Sequence, residues 1–334
     1  MAAWEAGIDF CIHSNMEVMK PITIMGANAS GKTGLALEIA KKTGGEIISA
    51  DSKQIFTKLE AGTAKPAGEW RKTEDGSRLY FVEGIPYHFL DFIDPLVRYD
   101  VGTYVRDVKR TMNEIRARGH VPVIAGGTGM YIQSFWNGID ELPPANAEIR
   151  AELNLIASEK GRAALHAALE AIDPETAEKI PVNNVQRVIR AIEISRLTGR
   201  PASKVWSGRF FNSLPVSEGK FIFLRWSKEC LQERVKERTL DHFDAWEKEI
   251  RVLLDEGYPQ DCPGLRSLGY PEMIDYIHGV RSRHETVQMI VNVSLAYAKR
   301  QNTWFNRYHN IKKYEFSKKT DYKVSALAEE IINS

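Results

Sequence analysis

Eight residues, Gly26-Ala27-Asn28-Ala29-Ser30-Gly31-Lys32-Thr33, carry the spacing G-x-x-x-x-G-K-[ST] of a loop that cradles a diphosphate. Gly26 and Gly31 permit backbone angles that bulkier residues resist, so successive N–H groups can point at one anion. Lys32 adds a mobile positive charge, and the Thr33 hydroxyl can ligate Mg²⁺ beside the phosphates. The loop alone does not say whether the phosphate is transferred, hydrolysed or released. A second candidate is Asp51, which ends the apolar run Ile47-Ile48-Ser49-Ala50. Its carboxylate either accepts a proton from a nucleophile or holds Mg²⁺ through water, or else it caps the turn that follows. Thr128, set among Gly126, Gly127 and Gly129, either hydrogen-bonds a substrate or caps a helix.

Two basic groupings offer contacts of another kind. Gln186, Arg187 and Arg190 share a helical stretch with Val185, Val188, Ile189 and Ile192, and a solvated helix face explains such residues as readily as a ligand does. Residues 281–323 hold ten Lys/Arg against three Asp/Glu, interleaved with Tyr297, Trp304, Phe305 and Tyr308. Such a segment can neutralise backbone phosphates and stack unpaired bases, or simply pack its aromatics inward and wet its charges. The eight histidines show no ligand spacing, which argues against a catalytic zinc.

The elements that must position these residues follow from the hydrophobic pattern. Strands are expected at Pro21–Met25, Glu46–Ala50, Val121–Ala125, Lys220–Trp226 and near Ile311–Phe316. Helices are expected after Thr33, over about Thr103–Arg118, over most of 228–308 and from Val324, with a loop over Ser52–Pro66. In a parallel sheet, ligands gather at the carboxyl ends of strands, which places Asp51 and Thr128 beside the phosphate loop. From Glu148 to Arg200 the reading is helical without a strand, with Pro174 and Pro181 at helix starts and Gly199-Arg200-Pro201 as a stop. The expected fold is therefore α/β, a P-loop NTPase-like parallel sheet core (20–138 and 216–334) with a helical insertion domain (139–215). Residues 1–19 lack the pattern of a secretory signal and are expected to be a disordered leader, with Met16 or Met19 as alternative starts.

Composition bounds the partners. With 43% hydrophobic and 27% charged residues and a net charge of +1, any nucleic-acid surface must be a local patch. Cys11, Cys230 and Cys262 form no CxxC pair and read as reduced, in a cytoplasmic protein. No apolar run approaches the ~20 residues of a membrane span.

Taken together, the blocks resemble the tRNA dimethylallyltransferase family, of bacterial type. They are Gly26–Thr33, Ile48-Ser49-Ala50-Asp51-Ser52-Lys53-Gln54, Gly62-Thr63-Ala64-Lys65-Pro66, Asp91-Phe92-Ile93-Asp94-Pro95 and Gly126-Gly127-Thr128-Gly129-Met130-Tyr131. They continue with Asn184–Ala191, Leu268-Gly269-Tyr270 and Ala298–Phe305, so the likeness runs from about Lys20 to Arg307. It implies that the loop, Gly26, Ala27, Asn28, Ala29, Ser30, Gly31, Lys32 and Thr33, binds dimethylallyl diphosphate together with Arg234. Thr33 would hold Mg²⁺. Asp51 would accept the proton of the adenine N6 amine, with Thr128 and Lys32 completing the catalytic set. Asp51, Ser52, Lys53, Gln54, Thr128, Arg150, Gln186, Arg187, Val188, Ile189, Arg190, Arg266, Gly269, Tyr270, Lys299, Arg300, Gln301 and Trp304 would meet the tRNA anticodon stem-loop. Arg238 aligns beside Arg234 on the reaction channel. The protein is expected to act as a monomer, away from membranes.

The resemblance has departures. Ala27 and Asn28 replace the family's usual Pro and Thr, and Lys53 and Phe56 replace Arg and Tyr. His242-Phe243-Asp244-Ala245-Trp246 stands where a Met-rich helix is usual, and the carboxyl-terminal finger of eukaryotic members is absent. Three other readings remain: an adenylate isopentenyltransferase with a free nucleotide acceptor, a small-molecule kinase using ATP, and a non-catalytic RNA-binding P-loop protein.

Overall fold

The computed structural model describes residues 19–73, 76–207 and 211–334. The expected leader therefore lies, apart from Met19, outside the described residues. The chain divides into two compact units, Met1–Asn137 with Phe211–Ser334, and Gly138–Phe210.

The first unit opens with β1 (Ile22–Gly26), α1 (Lys32–Thr43) and β2 (Glu46–Ser49). It runs on through β3 (Glu69–Lys72), β4 (Arg78–Val82), β5 (Ile85–His88), α2 (Val101–Ala117), β6 (Pro122–Gly126) and α3 (Gly129–Asn137). The second unit holds α4 (Ala147–Glu159), α5 (Gly161–Ile172), α6 (Pro174–Lys179) and α7 (Val185–Thr198). The chain then completes the first unit with β7 (Lys220–Trp226), α8 (Lys228–Asp255), α9 (Tyr270–Ile277), α10 (Arg283–Asn306), β8 (Lys312–Phe316) and α11 (Val324–Asn333).

One eight-stranded sheet runs in the order β3-β4-β5-β2-β6-β1-β7-β8. From β5 to β8 every pairing is parallel, while β4 lies antiparallel to both β3 and β5. This is the P-loop NTPase-like core. Strand side chains alternate between two apolar layers, as a sheet covered on both faces requires. Ile22, Ile24, Ile47, Val123 and Ile222 join α1 and α11 on one face. Met25, Ile48, Ile124, Phe221 and Phe223 join α2, α3 and the end of α10 on the other. A third cluster gathers the later half of α8 with α9 and the 55–59 segment through Phe243, Trp246, Ile250 and Tyr270.

The strands β3, β4 and β5 were not expected. β4 and β5 are joined by Glu83 and Gly84, both at positive φ (52° and 82°), the backbone of a type I′ hairpin turn. In the second unit, Leu153, Leu165, Leu169, Val188, Ile189 and Ile192 form the core. Pro174 does begin α6, with the Asp173 carboxylate accepting from Thr176 N. Pro181 does not begin a helix; it sits in the turn ahead of α7, whose N-cap is Asn184. Cys230 and Cys262 are buried free thiols, and Cys11 lies outside the described residues. Among the described residues no helix is long and apolar enough to cross a membrane.

Candidate active site

β6 lies between β1 and β2, so three carboxyl-end loops meet: 26–33 after β1, 50–54 after β2 and 126–129 after β6. The approach is close. A Cβ on Gly126 would lie 2.1 Å from Ala50 O, and one on Gly26 would lie 2.6 Å from Ser30 Oγ. Thr128 N donates to Ala50 O (3.0 Å), and Ser52 N donates to Thr128 Oγ1 (3.0 Å).

The phosphate loop is braced from behind. Gly31 has φ +92°, and a Cβ there would meet the Tyr322 ring at 2.9 Å. Tyr322 OH donates to Gly31 O (2.8 Å), Trp226 Nε1 to Ser30 O (3.0 Å) and Arg234 Nε to Ala29 O (2.7 Å). Asn28 N and Ser30 N are taken by Gln301 Oε1 and Ala27 O, and with the loop's carbonyls turned outward it is the N–H groups at the start of α1 that are left for an anion. Lys32 Nζ reaches Ala27 O (2.6 Å) and Ser30 Oγ (3.4 Å). Burial pushes its ammonium down to about 8; the Asp51 carboxylate partly offsets this and Arg238 adds to it.

Of the readings of Asp51, the cap is formed, and one carboxylate oxygen remains beyond it. Its Oδ1 accepts from Lys53 N (2.8 Å) and Gln54 N (3.3 Å), capping the turn. Its Oδ2 takes no hydrogen bond among the described residues, which leaves one lone-pair face free. A cleft of about 470 Å³ joins this carboxylate to the loop and is also lined by Lys53, Tyr87, Arg234, Arg238, Trp246 and Tyr297. Among the described residues, Lys32, Lys53, Arg234 and Arg238 make no salt bridge, so four cations face one cleft with Asp51. Arg234, Arg238, Asp241, His242 and Trp246 lie along one face of α8, and that spacing was the signal for this wall. Burial, then the Asp51 charge, pushes Tyr297 up to about 12, and the same two causes raise Tyr87.

The residues expected to meet RNA fall into two groups. Gln186, Arg266, Lys299 and Arg300 are exposed, Arg187 is half-buried with its guanidinium 5.1 Å from the Trp206 ring centre, Gln54 lines the cleft, and Ser52 is half-buried beside Thr128. Others are turned inward. Val188 and Ile189 are 1% and 2% exposed in the helical core, so their side chains are corrected to packing residues. Tyr270 is fully buried, and its hydroxyl donates to Glu249 Oε1 (2.6 Å). Glu249 Oε2 in turn accepts from Glu60 N and Ala61 N, holding the loop before Gly62. Gly269, at φ +87°, admits the Trp246 ring, which a Cβ would meet at 2.1 Å. Arg150 makes two bonds to the buried Glu193 (2.8 and 2.9 Å), and Arg190 bonds Glu193 and Pro143 O. Gln301 is 6% exposed, and Trp304 packs over Gly129. A shared motif marks a residue as belonging to the site without saying which way its side chain points.

Oxygen donors suit Mg²⁺, which takes one or two protein oxygens and completes its shell with phosphate and water. Thr33 and Asp51 supply such oxygens in the same cleft. Among the described residues no cluster of three His, Cys, Asp or Glu could hold a metal by itself.

Residues 54–308 match the family described as IPP transferase, and residues 19–85 match isopentenyl transferase. A tRNA dimethylallyltransferase of Elusimicrobium minutum is 43% identical over 89% of this chain and 94% of its own. The chain belongs to the tRNA dimethylallyltransferase family. The family member of Thermomicrobium roseum is 36% identical over 90% of this chain and 88% of its own. Among solved structures, the tRNA isopentenylpyrophosphate transferase of Bacillus halodurans is 31% identical, with a TM-score of 0.64 over 94% of each chain. A eukaryotic dimethylallyltransferase acting on tRNA shares the fold, with a TM-score of 0.70 and 21% identity over 94% of this chain and 78% of its own.

Proposed function

We propose that the protein transfers the dimethylallyl group of dimethylallyl diphosphate to the exocyclic N6 amine of the adenosine adjacent 3′ to the anticodon in tRNA, releasing diphosphate. The observation that carries this reading is the free Oδ2 of Asp51 in the same cleft as the phosphate loop. N6 is a poor nucleophile and gains positive charge as it bonds to C1. Its lone pair forms the N–C bond while the C–O bond to the diphosphate breaks, and the N6 proton passes to Asp51. The N–H groups at the start of α1, with Lys32, Arg234 and Arg238, stabilise the charge that develops on the departing diphosphate. Mg²⁺ bound at Thr33 would neutralise diphosphate charge in the same place. The amine is unreachable inside a stacked loop, so the adenosine must turn out into the cleft. Thr128 and Ser52 border its berth, while Lys299, Arg300, Arg266, Gln186 and Arg187 offer groups to the RNA. We read the protein as a cytoplasmic monomer.

Labelled dimethylallyl diphosphate, Mg²⁺ and protein are offered tRNA or AMP. Label appears in tRNA alone; transfer to AMP alone sinks the assignment. Asp51→Asn keeps the Oδ1 cap but cannot take the proton, so it folds, binds both substrates within about threefold and loses about 10²–10⁴ in rate. Recovery of that variant by excess Mg²⁺ would make Asp51 a metal group instead.

A further inference from the structure

The register of β1 on β6 runs from Ile22 opposite Val123 to Met25 opposite Gly126, and there the ladder stops. The two loops beyond it, one carrying the diphosphate cradle and the other Thr128, no longer pair with each other strand to strand. Between them lies one amide side chain. Gln301 Oε1 accepts from Asn28 N (2.8 Å), and Gln301 Nε2 donates to Gly127 O (2.9 Å). The side-chain amide thus does what a peptide unit of an inserted strand would do: it accepts on one side and donates on the other.

The rest of α10 supports that placement. Ser294, Tyr297, Gln301 and Trp304 are spaced three, four and three apart, one helical face. The Ser294 carbonyl accepts from Asn28 Nδ2 (3.4 Å), and Tyr297 lines the cleft. Trp304 occupies the space beside Gly129, where a Cβ would come within 2.4 Å of the ring. Gly127 is small for the same reason, because its Cβ would lie 2.2 Å from Gln301 Nε2. At 6% exposure Gln301 has each end of its amide bonded to protein backbone and little surface for RNA to reach.

We propose that Gln301 is a positioning residue that fixes the spacing between the diphosphate loop and the base-side turn, and that it does not contact the RNA. The inference rests on the reaction proposed above. Displacement needs N6, C1 and the leaving oxygen aligned within about 3–3.5 Å, and an error of about 1 Å can cost 10²-fold. The cradle fixes the leaving oxygen and the 50–54 and 126–129 loops fix the base, so the distance between loops sets the alignment. Each loop still binds its own ligand when the brace is cut. The loss therefore falls on turnover rather than on binding.

Gln301→Met keeps the length and removes both bonds. Gln301→Glu can still accept from Asn28 N but sets a carboxylate oxygen against the Gly127 carbonyl. In the label-transfer assay both variants lose about 10–100-fold in kcat, with KM for each substrate within about threefold and the salt slope of tRNA binding unchanged. A raised KM for tRNA with a flattened salt slope and intact kcat makes Gln301 an RNA contact and overturns the proposal; an intact kcat and KM overturn it as well. A second arm covers variants that fold poorly. Gly127→Ala forces the amide aside, so adding Gln301→Ala to it costs little more. Losses that multiply, as for independent sites, refute the brace. Wild-type protein assayed alongside separates the two readings. No transfer by wild type sinks the reaction itself, whereas active wild type with active variants sinks only the brace.

Discussion

Lys32 is half-buried at the cleft, and the oxygens that hold its ammonium, Ala27 O and Ser30 Oγ, are uncharged. Its pKa falls from 10.5 to about 8, so the folded state disfavours the proton that the unfolded chain keeps. Below about pH 8 both states are charged and the full burial penalty acts against folding. As pH rises from about 8 to 10.5 the folded lysine is neutral first, and the penalty fades. Lys32→Met is therefore more stable than the free wild-type protein at pH 7, and denaturant titrations find the gap closing between about pH 8 and 10.5. A gap constant with pH, or a less stable variant at pH 7, contradicts this. The same substitution should weaken diphosphate binding, because the destabilising charge is the one the proposed reaction sets against the anion. The nearness of the loops that carry Lys32, Asp51 and Thr128 was legible in the sequence because each follows its strand within a few residues. Gln301, Val188, Ile189 and Tyr270 were assigned to RNA because their blocks lie in the site, and burial, which no local spacing records, turned them inward.

The elements differ in how their basic residues are used. On α7, Arg190 is tied to Glu193, a carboxylate with no exposure that Arg150 of α4 also bonds. On α10, Lys299 and Arg300 are exposed and make no salt bridge among the described residues. Arg150→Ala and Arg190→Ala should each cost about 1–3 kcal/mol by leaving Glu193 short of a partner, and should hardly change the salt slope of tRNA binding. Lys299→Ala and Arg300→Ala should each flatten that slope by about one unit and leave the melting temperature alone. Paired melting and binding titrations check both; equal slopes in all four variants would erase the distinction. The Glu193 pairing was illegible because Arg150 lies 43 residues away on another helix. The core strands could be read from short, mostly apolar runs such as Ile22–Met25. β3 could not, because Glu69-Trp70-Arg71-Lys72 has no buried residue to mark a period. Lys65 and Asp91, from two of the motif blocks, turn out to be an ion pair, with Lys65 Nζ also donating to Phe56 O (2.6 Å). Those blocks brace the segments around the cleft as much as they serve chemistry.

Over the whole molecule, every residue named as lining the cleft belongs to the sheet unit. Removing 138–210 should leave a folded protein that still binds dimethylallyl diphosphate and no longer binds tRNA. Calorimetry with each ligand decides it; normal tRNA binding by the folded, shortened chain would mean the helical unit is not the clamp. That shortening asks little of the backbone. Asn137 Nδ2 donates to Ser213 O at 3.2 Å, and Asn310 Nδ2 and Oδ1 hold both backbone groups of Leu214. The outgoing and returning ends of the chain are thus pinned side by side on the sheet unit before the insertion begins. Such a clasp makes the insertion an exchangeable cassette: a different acceptor-binding module with neighbouring ends could be spliced between 137 and 211. The sheet unit would then receive the same base from a different carrier without one residue of its own being altered.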